Sequence, residues 1–330
     1  MGCRRFYGPQ ADYHTLERND DQDQNIIIIG PWNHGGWAMG PGNKLGNLDF
    51  GIETGPFFRK EIQAKWFAYH LKGKGDGKFP EATVFQTGSN QWKNYTAWPP
   101  KNTTLKNIYF HSNGKLSFEK PDSQEQSNSD SFVSDPAKPV PYRARPIEAT
   151  YSRDSRWSNW LTEDQRFVHN RPDVLSWETE ALKDDLTITG NVMAKIYAAT
   201  SGSDADWVVK LIDVYPAIDI KDPKMSGYQM MIANDVFRGR FRNSFSNPEP
   251  ITPNKVELYT IDLHGTDHVF KKGHKIMVQI QSSLFPIIDR NPQKYVPNIF
   301  EAKESDFQTA IHKVFHSLKF SSSLVLPMVQ

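Results

Sequence analysis

The chain has 330 residues, enough for one large domain or two ordinary ones with a substantial core. Charged residues make up 23% of it, hydrophobic residues 38%, and the net charge is +1, so no strong field directs it to nucleic acid or an anionic membrane. The single cysteine, Cys3, has no internal disulfide partner, no Cys/His cluster has the spacing of a zinc site, and no apolar run, Ile26–Ile29 included, approaches the roughly 20 residues that span a bilayer.

No metal or cofactor is therefore expected. No amino-terminal signal peptide is visible, and cytoplasm and periplasm both stay open.

The opening stretch through Gln24 is polar and reads as turns. Ile26 to Ile29 then form a continuous β-branched run, the pattern of a strand buried on both faces of a parallel sheet. Gly30-Pro31 ends it, because no central strand continues through proline. Trp32, Asn33, His34, Gly35, Gly36 and Trp37 thus lie just past a strand's carboxyl end, where α/β sheets place their ligands.

Glycines and asparagines from Gly40 to Gly55 predict a long ordered loop. Phe58, Ile62, Trp66 and Tyr69 follow a helical period, with Gly73 placed to end the helix and the aromatic stripe expected to pack on the sheet.

Beyond Gly77 the pattern becomes short strands and turns, beginning with Thr83–Thr87 and Asn107–Phe110. Lys120 to Asp130, rich in Ser, Gln, Asp and Asn, reads as an exposed loop. Further strands are expected at 186–188, 192–198, 207–214, 229–232, 256–261, 276–280 and 324–326. With almost no helical period among them, they favour an antiparallel sandwich or jelly roll.

His34 is the residue best placed for chemistry. An imidazole, with an ordinary pKa of about 6.5, accepts a proton from a hydroxyl nucleophile and returns it to a leaving group. The competing reading is a loop histidine making a backbone hydrogen bond. No Gly-x-Ser-x-Gly elbow is present to supply the nucleophile.

Ser201 and Ser203 sit between two predicted strands and read as a sandwich turn. Arg238, Arg240 and Arg242 alternate along a predicted strand and would share one face, solvated or ion-paired. Asp204, Asp206 and Asp213 lack the spacing of a calcium loop and read as turn and strand-end hydrogen-bond acceptors. Trp92, Trp98, Trp157, Trp160 and Trp177 read as packing, with sugar stacking the alternative.

The segment Ile28-Ile29-Gly-Pro-Trp-Asn-His34-Gly-Gly-Trp37 resembles the histidine segment of the cocaine-esterase and X-Pro dipeptidyl-peptidase type serine hydrolases. Within that group it looks most like the α-amino-acid ester hydrolases and glutaryl cephalosporin acylases. Asp204–Pro216, Val236–Arg242 and Phe285–Pro292 are similar to segments of the family's carboxy-terminal jelly roll.

The resemblance implies a mostly β chain: residues 1–78 as the last strand-loop-helix portion of an α/β-hydrolase domain, and 79–330 as a jelly-roll β-sandwich. It implies His34 as the base of a Ser-His-Asp triad that cleaves a small acyl ester, amide or peptide substrate.

The family's serine, oxyanion-hole tyrosine and helical cap precede the histidine segment. Its aspartate is expected a few residues before the segment matched by Phe6-Tyr7-Gly8-Pro9, in the neighbourhood of Gly2, Cys3, Arg4 and Arg5.

The expectation is a carboxy-terminal piece, inactive or nearly so by itself, whose partner is the missing hydrolase and cap region. Homo-oligomeric assembly is compatible with it. The rival readings are a non-catalytic module that binds carbohydrate or a partner protein, and a structural subunit that completes another polypeptide's active site.

Overall fold

The computed structural model describes residues 4–122, 127–150, 152–153 and 155–329. Gly2 and Cys3, the side chains of Arg4 to Tyr7, and the centre of the Lys120–Asp130 segment lie outside the described residues.

The chain opens with helix α1 (Arg4–Glu17), not with the expected turns. The sequence conceals it because Pro9 lies inside and no apolar period runs along it. Its tertiary contacts define it: Tyr13 is buried beside Trp98, and Gln10 Nε2 donates to the Gly265 carbonyl at 3.3 Å.

Strand β1 (Ile27–Ile29) follows, then a long loop containing a small hairpin, β2 (Lys44–Leu45) and β3 (Leu48–Asp49), where continuous loop was expected. The helix after it begins as α2 (Thr54–Phe57), passes through a π-helical segment (Phe58–Gln63) and ends as α3 (Ala64–Lys72), with Gly73 as the left-handed cap at φ 59°. Its aromatic stripe is not buried on the sheet as expected: Phe58, Ile62 and Trp66 are only partly covered, Tyr69 is exposed, and no residue of α3 is buried.

Strands β4 (Ala82–Gln86) and β5 (Gln91–Tyr95) form a hairpin, and β4 pairs with β1 in parallel, Ile27 opposite Ala82 and Ile29 opposite Val84. The result is a three-stranded sheet in the order β1-β4-β5. β1 is its edge strand and pairs with no other strand among the described residues. Ile27 is therefore buried while Ile28 and Ile29 are only partly covered, where burial on both faces was expected.

The other strands build a sandwich. They are β6 (Thr103–Phe110), β7 (Leu116–Ser117), β8 (Ser129–Ser134), β9 (Val174–Glu178), β10 (Leu186–Thr200), β11 (Asp206–Val214), β12 (Gln229–Arg238), β13 (Glu257–Phe270), β14 (Lys275–Gln281), β15 (Ala310–Phe315) and β16 (Ser323–Val329). One sheet runs β7-β6-β16-β10-β15-β8 with β13 also paired to β10; the second runs β12-β11-β14-β9.

The sheets enclose the main core, in which Trp207, Val209 and Leu211 of β11 meet Ile108 and Phe110 of β6 and Ile188 to Ala198 of β10. Alternation along β11 sends Trp207, Val209 and Leu211 inward and Val208 and Lys210 to the outer face.

Two expected strands, 186–188 and 192–198, are one strand: β10 passes through Gly190 at φ 123°, and its register shifts between Asn191 and Met193. A bulge with glycine keeps the ladder going where the sequence suggests a break. The expected loop through Asp130 stops earlier, since β8 begins at Ser129.

The small sheet is fastened to the sandwich by polar contacts. Asp267 on β13 accepts from Gln86 Nε2 (2.8 Å) and the Tyr95 hydroxyl (2.6 Å) of the hairpin, and from Thr189 Oγ1 (2.9 Å) of β10. Next to it, Thr87 forms a parallel bridge with His268. Gly88 allows this approach, for a Cβ there would lie 2.1 Å from the Val269 carbonyl oxygen.

Candidate active site

His34 stands four residues past Gly30, in a turn closed by Gly36 N–H to Asn33 O and Ala38 N–H to Gly35 O, both 3.0 Å. Two anchors hold the loop. Trp32 Nε1 donates to Thr54 Oγ1 (2.8 Å), while Arg59 reaches back from the π-helical segment to the carbonyls of Trp37 (2.9 Å) and Gly40 (3.1 Å).

Glycine is required where the chain folds tightly. The Trp32 indole lies so close to Gly30 that a Cβ there would sit 2.1 Å from it, and at Gly42, where φ is 61°, a Cβ would lie 2.8 Å from Thr54 Oγ1.

The imidazole of His34 is exposed and meets the Trp37 ring edge-on, with centroids 6.1 Å apart. None of the described residues hydrogen-bonds to it, so the ordinary backbone hydrogen bond of the competing reading is not made.

The ring lines a cleft of about 430 Å³. The walls are mainly apolar: β1, Trp32, Trp37, Phe58, Pro9 of α1, and Leu161 from a 3₁₀ segment (Trp157–Thr162) next to the sandwich. Chemically, an imidazole on a mainly apolar cleft suits proton transfer to and from a hydroxyl nucleophile.

Gln10, Phe58 and Leu161 carry no motif, Pro9 belongs only to the Phe6–Pro9 match, and no signal in the sequence associates the four with His34. Only the folded chain joins them. The run of helical period over 58–69 contained the one available hint, Phe58.

The remaining candidates have structural partners. Ser201 Oγ and Ser203 Oγ accept from the backbone N–H groups of Ile311 (2.9 Å) and Tyr295 (2.8 Å), as sandwich-turn residues. Arg238 ends β12, but Arg240 and Arg242 lie beyond it, so the three do not alternate along one strand. The reason is the 3₁₀ turn Gly239–Phe241, which turns each guanidinium to a different carboxylate.

Arg238 pairs with Asp206 (3.1 Å) and Asp289 (3.0 Å), buried Arg240 with buried Asp204 (2.7 Å), and Arg242 with Glu257 (2.6 Å). Burial pushes the Asp206 carboxyl up to about 6, although Arg238 and Asn291 pull the other way. Asp213 accepts from two histidines, His268 and His274.

The tryptophans pack. Trp177 is 1% exposed and stacks on Phe110 with centroids 4.5 Å apart, Trp98 and Trp160 are buried, and Trp92 stacks on Phe57. A buried ring has no free face for a sugar.

Residues 77–325 match the family described as the X-Pro dipeptidyl-peptidase C-terminal non-catalytic domain. A cocaine esterase from Rhodococcus sp. (strain MB1 Bresler) is 29% identical over 314 residues, a match covering 92% of this chain and 51% of that protein.

Among solved structures, an aminopeptidase from a marine sediment archaeon, Thaumarchaeota archaeon, is 41% identical with a TM-score of 0.93. An α-amino acid ester hydrolase is also 41% identical, with a TM-score of 0.91. Both matches cover 96% of this chain and 52% of the other, so the chain spans about half the length of the relatives it matches. The chain belongs to the cocaine-esterase and X-Pro dipeptidyl-peptidase family, and corresponds to the C-terminal part of its members.

Proposed function

We propose that this chain is the carboxy-terminal portion of a serine hydrolase that cleaves ester or amide bonds, with His34 as the general base of its triad. The observation that carries the reading is the exposed imidazole on an apolar cleft just past the carboxyl end of a parallel strand. The relatives named above, an esterase, an aminopeptidase and an ester hydrolase, act on bonds of this class.

In this reading a serine and an aspartate come from sequence outside the chain. The serine oxygen attacks the carbonyl carbon, and His34 takes the hydroxyl proton and passes it to the departing alcohol or amine. Water, deprotonated by the same imidazole, then releases the acyl group as an acid. The aspartate orients the ring, which leaves His34 by itself with neither nucleophile nor orienting acid.

Residues 1–78 belong in this proposal to the hydrolase domain and 79–330 to the sandwich, with the hairpin β4–β5 shared between them through its pairing with β1. The open edge of β1 suits a further parallel strand from the hydrolase domain.

The test is a fluorophosphonate probe applied to this chain alone and to the chain completed by the upstream polypeptide. Labelling is expected only in the completed protein. Labelling of this chain at one of its own serines would overturn the assignment of the nucleophile.

A further inference from the structure

The His34 imidazole makes no hydrogen bond to the described residues. Its place in this chain is therefore set by the backbone of its loop and by the Trp37 ring, which meets it edge-on at 6.1 Å.

Two consecutive residues of the π-helical segment grip that loop on either side of the histidine. Before it, the Phe58 ring packs against Trp32 with centroids 5.3 Å apart. After it, Arg59 Nη1 donates to the Trp37 carbonyl at 2.9 Å and Nη2 to the Gly40 carbonyl at 3.1 Å. The fit is close, for a Cβ on Gly55 would lie 2.9 Å from both Arg59 Nη1 and the Gly40 carbonyl oxygen.

The guanidinium has no competing anion. Neighbouring Glu61 pairs with Lys65 at 2.8 Å, and no carboxylate among the described residues forms an ion pair with Arg59. Its charge is directed at the two carbonyls, which a rigid fork can hold together and the single ammonium of a lysine cannot. The π turn begins at these two residues and closes with Ala64 N–H donating to the Arg59 carbonyl. Such turns are rare and recur at functional sites.

We infer that Arg59 is a positioning residue, which through the carbonyls of Trp37 and Gly40 holds the His34 imidazole within reach of a hydroxyl nucleophile, a role that rests on the base function proposed for His34. An orienting aspartate acts on a ring whose place the loop has already fixed. A misplacement of about 1 Å in such a group costs a factor on the order of 10².

The experiment compares Arg59→Ala with wild type in the completed hydrolase. Its kcat should fall about tenfold or more while KM changes less than about threefold, because the clamp touches the loop and not the substrate. Millimolar methylguanidinium should restore part of the lost rate by occupying the vacated position. Arg59→Lys, which reaches one carbonyl, should fall between, and it serves as the test if Arg59→Ala does not fold. Lys60→Ala, which removes the adjacent exposed cation, should leave kcat unchanged. In the chain by itself, the imidazole resonances of His34 should shift and broaden in Arg59→Ala. A wild-type kcat in the folded Arg59 variants, or a loss that methylguanidinium does not relieve, would overturn the role. His34→Ala separates the two claims: a wild-type rate there removes the base function, whereas an inactive His34→Ala beside a fully active Arg59→Ala removes the clamp alone.

Discussion

His268 Nε2 and Asp213 Oδ2 lie 3.2 Å apart inside the sandwich, where His268 is fully buried and Asp213 nearly so. His274 Nδ1 holds the other carboxylate oxygen at 2.8 Å, and Thr87 Oγ1 meets His268 Nδ1 at 2.8 Å, so one polar chain runs from the β4–β5 hairpin into the second sheet.

Burial alone would raise the Asp213 carboxyl, but hydrogen bonds from His268 and His274 outweigh it and hold the group below its ordinary range. A depressed folded-state value gives stability that is present above the unfolded value, near 3.9, and is lost as pH falls through the folded one. Asp213→Asn should cost about 3 kcal/mol at neutral pH and flatten the acid limb of the stability curve. Urea unfolding between pH 2 and 7 reads both, and an unchanged acid limb would refute the account.

Lys210 is buried on the outer face of β11 and donates to Gln165 Oε1 at 2.8 Å. Burial pushes its amine down to about 7. Between about 7 and the ordinary value near 10.5 the unfolded chain holds more protons, so stability rises with pH across that window and carries the full penalty below it. Lys210→Met should stabilise the protein by a few kcal/mol at pH 6 and have much less effect near pH 10. Equal effects of the substitution at both pH values would contradict a depressed amine.

Trp177→Ala removes a fully buried ring stacked on Phe110 and should cost about 3–5 kcal/mol. His34→Ala removes an exposed ring without a hydrogen bond to the described residues and should change stability by less than about 0.5 kcal/mol. Thermal unfolding compares the two. In the completed hydrolase the same His34→Ala change should lower kcat/KM by a factor on the order of 10³ or more, and a smaller loss would remove His34 from the base role.

Gly30→Ala places a Cβ within 2.1 Å of the Trp32 ring and forces the indole away from Thr54. A destabilisation of about 1–3 kcal/mol is expected, with shifted imidazole resonances of His34 in the NMR spectrum because the loop moves. Unmoved resonances would show that Trp32 does not set the position of the loop.

Much of the architecture is legible in short windows. Alternation and β-branched residues mark β11 and much of β10, Gly73 marks the end of its helix, and the isoleucines with Gly30-Pro31 place His34 past a strand's end. Each of these signals rests on neighbours within a few positions, where backbone geometry alone dictates which side chains share a face. α1 escapes for the same reason: its polar sequence has no period, and Tyr13 and Gln10 find their partners around Trp98 and Gly265.

The amino-acid sequence by itself determined the strand-rich class, the ends of several elements and the histidine that faces the cleft. Tertiary structure alone decided that β1 pairs with β4, that Leu161 shares a cleft with His34 and that Asp213 is clasped by two histidines. These depend on contacts between residues about 50 to more than 100 positions apart, and on desolvation that exists only after the sheets close. Local periodicity encodes neither.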